Sequence, residues 1–313
     1  MSDLISVIMS TYNEELEWIE ESINSILNQT YKNIEFIIVL DNPNNKELKD
    51  LLLRYSEKDR RIKLIFNREN MGLVKSLNAA LEHCKGKYIA RMDADDISEL
   101  DRLALQKKYL EENNLDFVFS GIKIIDEHGN QIYETNNHIL TPSKIKKLLK
   151  ITNVSNHPTW FLKAELYKKL NGYRDVPYCE DYDFSLRCLE MDAKIGKMDQ
   201  TILKYRVRGN SISKSYSLEQ FLNTKSLTKL YKNNQINNTD ELIKLINNNK
   251  KLATDVEKEK FNNAGVLYYE AVKDIKDKKL LLGLLKFIKS MSISKYYFAK
   301  NFDLVRYKIA KYN

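Results

Sequence analysis

The feature that most constrains this 313-residue chain is a regular alternation of two hydrophobic periods over about its first 95 residues. Residues 4–9, 34–40, 61–66 and 87–90 are short apolar runs with the length of buried strands. Between them the apolar residues recur at helical spacing. Leu16, Ile19, Ile23, Ile26 and Leu27 form one stripe within 14–28, and a second helix runs to about Tyr55. Leu73, Val74, Leu77, Leu81 and Cys84 form a third stripe, which Gly86 ends. A β-α-β-α-β-α-β series of this kind predicts a parallel sheet with helices on both faces. Parallel strands end on a common edge, and ligands bind there in open α/β sheets.

That edge collects the polar turns of the chain. Ser10-Thr11-Tyr12-Asn13 follows the first strand, Asp41 ends the second, and Asn70-Met71-Gly72 precedes the third helix. Arg91-Met92-Asp93-Ala94-Asp95-Asp96 follows the fourth strand. Three carboxylates crowded at one strand end repel one another unless a cation neutralises them. Mg²⁺ and Mn²⁺ are commonly held by one or two carboxylates together with substrate phosphate oxygens. One reading is therefore a metal–diphosphate site. The other is a solvated acidic turn, with Asp96 or Ser98 capping a helix that runs to about Asn114. A nucleotide suits the edge, since Tyr12 offers an aromatic face and Asp41 can accept from a base N–H. Neither G-x-G-x-x-G nor G-x-x-x-x-G-K-[ST] occurs, which argues against a dinucleotide fingerprint and a P-loop.

Past Asn114 the pattern changes. Residues 117–125 are β-rich, with a hairpin turn at 127–130, and 140–151 reads as a helix. Asn156-His157-Pro158-Thr159-Trp160-Phe161 reads as a loop entering a strand. A helix is expected over 184–191 and a last strand over 201–206, followed by the turn Gly209-Asn210-Ser211. Three cysteines without metal-ligand spacing read as free thiols of a reducing cytoplasm. No signal peptide and no run of roughly 18 apolar residues is visible. Charge divides the chain: residues 214–313 hold 20 Lys and Arg against 10 Asp and Glu, and the first 213 hold 31 against 33. Two regions are expected, 1–213 and a basic, aromatic-rich helical extension over 214–313 with a partner of its own.

Taken in order, Ser10-Thr11-Tyr12-Asn13, Asp41, Asn70-x-Gly72, Asp93-Ala94-Asp95-Asp96, His157-Pro158-Thr159 and Glu180-Asp181-Tyr182 resemble the motifs of the family 2 glycosyltransferases, over about residues 3–213. The Ala-Arg-Met-Asp-Ala-Asp-Asp-Ile-Ser and Asn-His-Pro-Thr runs are similar to the branch that builds bacterial capsules and exopolysaccharides, of the amylovoran-synthesis type. The resemblance implies an α/β GT-A fold, a mixed sheet flanked by helices with a C-terminal helical extension. It implies an enzyme that uses Mn²⁺ or Mg²⁺ and inverts the sugar's anomeric centre. The sugar would pass from a UDP-sugar to a growing, lipid-linked bacterial surface glycan (capsule, exopolysaccharide or lipooligosaccharide).

The same resemblance implies roles by position. Thr11, Tyr12 and Asp41 hold the base, with Asn13 and Asn70 in the same nucleotide site. Asp93 approaches the ribose or the metal, and Asp95 is the principal metal ligand. Asp181 is the general base, a role Glu180 shares, and His157 lies near the diphosphate or the acceptor. Two departures stand out. Ser76-Leu77-Asn78 lacks an arginine common in the family, which leaves Lys75 or Arg91 to serve. Tyr205-Arg206-Val207-Arg208 has arginine where many members have histidine, and Arg208 cannot ligate a metal but can grip a phosphate bidentately.

Other residues read more plainly. Trp160 is expected in the core rather than against a sugar, and Asp183 as a solvated or capping residue. The basic, aromatic C-terminal third suits the interface of an anionic membrane or a helical cap on the catalytic domain. No RNA-binding motif appears, so no nucleic-acid partner is expected. The competing functions are a nucleotidyltransferase, whose Gly-rich basic loop is missing, and a catalytically silent UDP-binding subunit, which would have no need of Asp95 and Asp181. A glycosidase would need neither Asp41 nor the acidic turn.

Overall fold

The computed structural model describes residues 2–135, 138–208 and 216–312. The turn expected at Gly209-Asn210-Ser211 and the boundary expected at 213/214 lie outside the described residues. By its internal contacts the chain divides into two compact units. The first is Met1–Lys146, Val154–Asp175 and Asp183–Gly209, and the second is Lys147–Asn153, Val176–Tyr182 and Asn210–Asn313.

The first unit is built on one mixed sheet. Strands β1 (Ile5–Thr11), β2 (Ile34–Leu40), β3 (Ile62–Phe66) and β4 (Tyr88–Asp93) alternate with helices α1 (Leu16–Leu27), α2 (Lys46–Lys58) and α3 (Leu73–Glu82). They lie parallel in the order β3-β2-β1-β4. β2 is buried throughout, as its unbroken apolar run predicts for a strand covered on both faces. Beyond β4 the sheet turns mixed: β8 (Phe161–Lys163) runs antiparallel to β4 and to β6 (Phe117–Ile125). β9 (Ile195–Arg206) runs parallel to β6, and β7 (Gln131–Glu134) closes the expected hairpin. Ile19, Ile23 and Ile26 of α1 pack with Val7, Phe36, Met92 and Leu103 in one core.

Two local expectations fail. Ser98 does not cap α4 (Arg102–Glu112): Ile97 and Ser98 form the short strand β5, paired with Lys204 and Leu203 of β9. The Ser98 hydroxyl instead accepts from Arg102 at 2.9 Å. The strand before the acidic cluster also runs further than expected, because Arg91, Met92 and Asp93 continue β1's ladder, with Asp93 opposite Ser10.

The second unit is helical. It holds α8 (Ser217–Lys232), α9 (Thr239–Leu252), α10 (Asp255–Lys276), α11 (Leu280–Ile293) and α12 (Lys295–Tyr312). Leu218, Leu222, Phe261, Ala264 and Tyr297 make its core. The helical extension expected over the C-terminal third is present, and α12 carries it to Tyr312. Three further helices, α5 (Pro142–Leu149), α6 (Ala164–Leu170) and α7 (Glu180–Glu190), complete twelve α-helices among the described residues.

Candidate active site

The parallel register fixes one edge of the first unit. Thr11 lies opposite Leu40 and Ser10 opposite Asp93, so the polar turns come together at the strands' C-terminal ends. Thr11 is buried, and its hydroxyl donates to Glu14 Oε2 at 2.7 Å. The same carboxylate oxygen takes the backbone N–H of Tyr12 at 2.8 Å, which leaves the Tyr12 ring 41% exposed. Asn13 Oδ1 accepts from Asn42 at 2.6 Å and from Asn45 at 3.2 Å. Buried Asp41 accepts from Asn67 Nδ2 at 2.7 Å and from the backbone N–H groups of Met71 and Gly72 at 2.8 Å each. Asn70 Oδ1 also takes the Gly72 N–H, at 3.0 Å. Gly72 has φ +80°, a conformation that glycine adopts without strain. Asp41 and Asn70 therefore hold the Asn-x-Gly turn against the sheet edge.

The acidic cluster sits beside these turns and is clamped by arginines. Arg91, almost fully buried, pairs with Asp93 Oδ1 at 2.5 Å. Arg208 Nη2 lies 2.7 Å from Asp95 Oδ2 and 4.0 Å from Glu14 Oε1. Arg206 donates from Nε to the Asp95 carbonyl oxygen at 2.9 Å, and its backbone N–H donates to Asp96 Oδ1 at 3.0 Å. Burial, with the Asp93 charge close by, pushes the Asp95 carboxyl up to about 6, against the pull of Arg208. Fully buried Asp96 is pushed well above the ordinary carboxyl range by the same causes, and its Oδ2 has no hydrogen-bond partner among the described residues.

His157 lies in a single 3₁₀ turn, His157–Thr159, entering β8. Its Nε2 is 2.8 Å from the Tyr173 hydroxyl, and its ring packs 4.5 Å from that of Trp160. Burial and the Arg91 charge push the imidazole well below its ordinary value, so His157 is neutral. Trp160 has no exposed surface and packs on Phe117 and Phe184, as expected of a core aromatic. Lys75 is exposed on α3 and makes no ion pair among the described residues.

Two supporting charges escape sequence reasoning. Arg102 is completely buried beneath the cluster, and burial lowers it to about 10. It donates to the Arg91 and Pro158 carbonyl oxygens at 2.5 and 2.8 Å, tying the acidic strand to the His-Pro-Thr turn. Gln106 adds a 2.6 Å bond to the Thr159 carbonyl oxygen. The available signal is the α4 stripe itself, where Arg102, Leu103, Gln106 and Leu110 share the buried face. Asp183 corrects an expectation outright. It is fully buried rather than solvated, paired with Arg174 and with Arg187 Nε at 2.8 Å. Two guanidinium groups make that burial tolerable.

Glu180 and Asp181 open α7, a turn earlier than the expected helix, and belong to the second unit. Asp181 Oδ2 accepts from Asn153 Nδ2 at 2.7 Å and Oδ1 from the Tyr182 N–H at 2.6 Å. Asp181 lines a cavity of about 290 Å³ within that unit, together with Tyr178, Gln220, Thr224, Asp303 and Tyr307. The three cysteines carry no disulfide. No three His, Cys, Asp or Glu side chains converge to hold a metal among the described residues.

Comparison with known proteins completes the picture. Residues 6–171 match the family model described as Glycosyl transferase family 2. An uncharacterized glycosyltransferase of Methanocaldococcus jannaschii is 42% identical over 214 residues, which cover 67% of this chain and 74% of that one. The O-antigen biosynthesis glycosyltransferase WbnJ of Escherichia coli is 37% identical, with 72% of this chain and 91% of that one covered. The amylovoran biosynthesis glycosyltransferase AmsE of Erwinia amylovora is 29% identical, over 67% and 79% of the two chains. Among solved structures, S. aureus TarS 1–349 in complex with UDP-GlcNAc superposes with a TM-score of 0.60 at 17% identity, covering 95% of this chain and 92% of that one.

Proposed function

The chain belongs to glycosyl transferase family 2 and is a glycosyltransferase of the GT-A fold; from that premise we propose that it moves a sugar from a UDP-sugar to a growing, lipid-linked bacterial surface glycan, with a divalent cation and with inversion. Membership of this family sets aside the nucleotidyltransferase alternative. The UDP-sugar draws support from the UDP-GlcNAc complex of TarS, and the glycan from the named roles of WbnJ and AmsE.

The observation that carries the reading is the Asp93–Asp95 pair at the strands' C-terminal edge, with Asp95 pushed up to about 6. Such a pair fits Mg²⁺ or Mn²⁺, which accept one or two carboxylates and take their other ligands from phosphate and water. Asp95 and Asp93 would hold the cation, which supplies charge neutralisation to the departing UDP. Arg208, now on Asp95, would exchange that carboxylate for a diphosphate oxygen. Tyr12 would stack on the uracil, and Asp41 would receive its N–H while holding the Asn70–Gly72 turn. Lys75 is the exposed cation of α3 nearest that turn in sequence.

Asp181, which lines a cavity of the second unit, would act as base. The acceptor hydroxyl gives its proton to Asp181, and its oxygen bonds to the anomeric carbon as the bond to UDP breaks. One displacement inverts that carbon and needs no covalent intermediate. His157, held neutral, serves as a hydrogen-bonding group near Arg91 rather than as a cation.

A panel of UDP-sugars tests the reading, with UDP release followed in Mn²⁺ and in EDTA for the wild type, Asp95→Ala and Asp181→Ala. The expected result is metal-dependent hydrolysis of one donor that Asp95→Ala abolishes. Asp181→Ala should keep UDP binding and lose acceptor-stimulated turnover. Turnover that is indifferent to EDTA and to Asp95→Ala would overturn the metal assignment.

A further inference from the structure

Helix α11 turns its small residues inward and its large apolar residues outward. Its two buried residues are Gly283 and Ser290, seven apart and so on one face. Ser290 Oγ donates to the Ala264 carbonyl oxygen of α10 at 2.7 Å. A methyl group built on Gly283 would stand 2.9 Å from the Ala271 carbonyl oxygen, so the two backbones meet closely there. Lys286, on the same side, reaches Glu270 and Asp274 of α10 at 2.9 and 2.8 Å. The opposite face carries Leu281, Leu284, Leu285 and Ile288, each more than half exposed. A helix surrounded by water does the reverse. Small residues at the helix contact with large apolar ones outside is how helices pack when hydrocarbon surrounds them.

The helix does not cross a bilayer. Its 14 residues span about 21 Å, short of a hydrocarbon core of about 30 Å. No helix among the described residues is long and apolar enough to do so. What remains is a position in the interface plane. The charges agree with that. From Lys273 onward there are eleven Lys and Arg against three Asp. Two of those three acids are already engaged, Asp274 by Lys286 and Asp303 by Lys225. Lys278, Lys279 and Lys289, at the start and along the flank of the apolar face, have no carboxylate partner among the described residues. Exposed Phe298, Phe302 and Val305 of α12 extend the same composition. A twofold-related copy would set these lysines near their own equivalents, whereas anionic headgroups would attract them.

We propose that the outward face of α11 docks this protein on an anionic membrane surface, with Leu281, Leu284, Leu285 and Ile288 in the acyl boundary and the flanking lysines among the headgroups. Docking is independent of the proposed reaction, so its test needs no turnover. The full chain is sedimented with phosphatidylcholine vesicles, with and without phosphatidylglycerol. Wild type should bind the anionic vesicles at least about tenfold more tightly than the neutral ones, and less tightly as salt rises. The double substitution Leu281→Glu/Ile288→Glu should reduce that binding by about tenfold or more. Circular dichroism and the thermal midpoint should not change, since both side chains point away from α10. Lys278→Glu/Lys279→Glu should erase the preference for anionic lipid and keep the fold. Three results would overturn the proposal. They are no binding by wild type, undiminished binding by folded Leu281→Glu/Ile288→Glu, and a solution dimer that this same pair dissociates.

Discussion

The two units break the usual partition of side chains in opposite directions. The sheet unit buries charge: Arg91, Asp95, Asp96, Arg102, Asp183, Arg187 and Arg206 are nearly or fully hidden. The helical unit exposes oil: Leu280, Leu281, Leu285 and Ile288 stand in the open. Buried charges cost stability unless they are paired, and exposed apolar groups forgo the gain of burial. In the sheet unit the carboxyls whose charged form burial disfavours most gather at the C-terminal edge, at Asp95 and Asp96. Away from that edge, as at Asp183, each charge is answered by a partner.

That contrast can be broken, and the largest effect should come from a paired charge of the sheet unit. Asp183→Ala leaves the hidden Arg187 guanidinium without its carboxylate and should cost about 3–5 kcal/mol in urea unfolding. Asp95→Asn should act oppositely on stability and on activity. Removing a carboxylate raised by burial and by Asp93 should lift the thermal midpoint by about 2–4 °C. Metal-dependent donor turnover should meanwhile fall by roughly 10²- to 10³-fold. A drop in both would mean that Asp95 is structural.

A smaller effect should follow pH. His157 is held neutral in the fold, below its ordinary value of 6.5, whereas the unfolded chain protonates it there. The unfolded state then binds more protons, so the stability that His157 contributes is present above pH 6.5 and is lost as pH falls. The loss should be about 1 kcal/mol between pH 6.5 and 5.5, and His157→Gln should flatten it. The smallest effect should be Leu281→Ser on α11, within about 0.5 kcal/mol of wild type. Leu77→Ala in the sheet unit should cost about 2–5 kcal/mol by comparison. If the two leucines behaved alike, α11 would be a core element and the contrast would fail.

Legibility followed the same division. Strands β1 to β4 could be read because unbroken apolar runs and Gly or Asn turns are local signals. Their parallel pairing then brought Thr11, Asp41 and Asp93 to one edge. The pairing of Ser98 with Leu203 could not be read, since a cap and a two-residue strand look alike until β9 arrives more than 100 residues later. Asp183 looked solvated, and Arg102 went unremarked, because a single charge carries no sign of the partners that tertiary structure gives it. The bounds of helix α12 were hidden by its own composition, in which lysines and aromatics alternate with little apolar period. The exposed stripe of α11 was visible as composition, but its inverted packing on α10 needed the positions of Gly283 and Ser290.

The most direct measurement is calorimetric titration of UDP into the wild type and Asp95→Asn, each with Mn²⁺ and again after EDTA. If the acidic edge is a cation–diphosphate site, wild type binds UDP with Mn²⁺ and loses most of that affinity in EDTA. Asp95→Asn should bind weakly in both. Equal UDP affinity in all four titrations would contradict the assignment and leave the cluster a buried structural acidic turn.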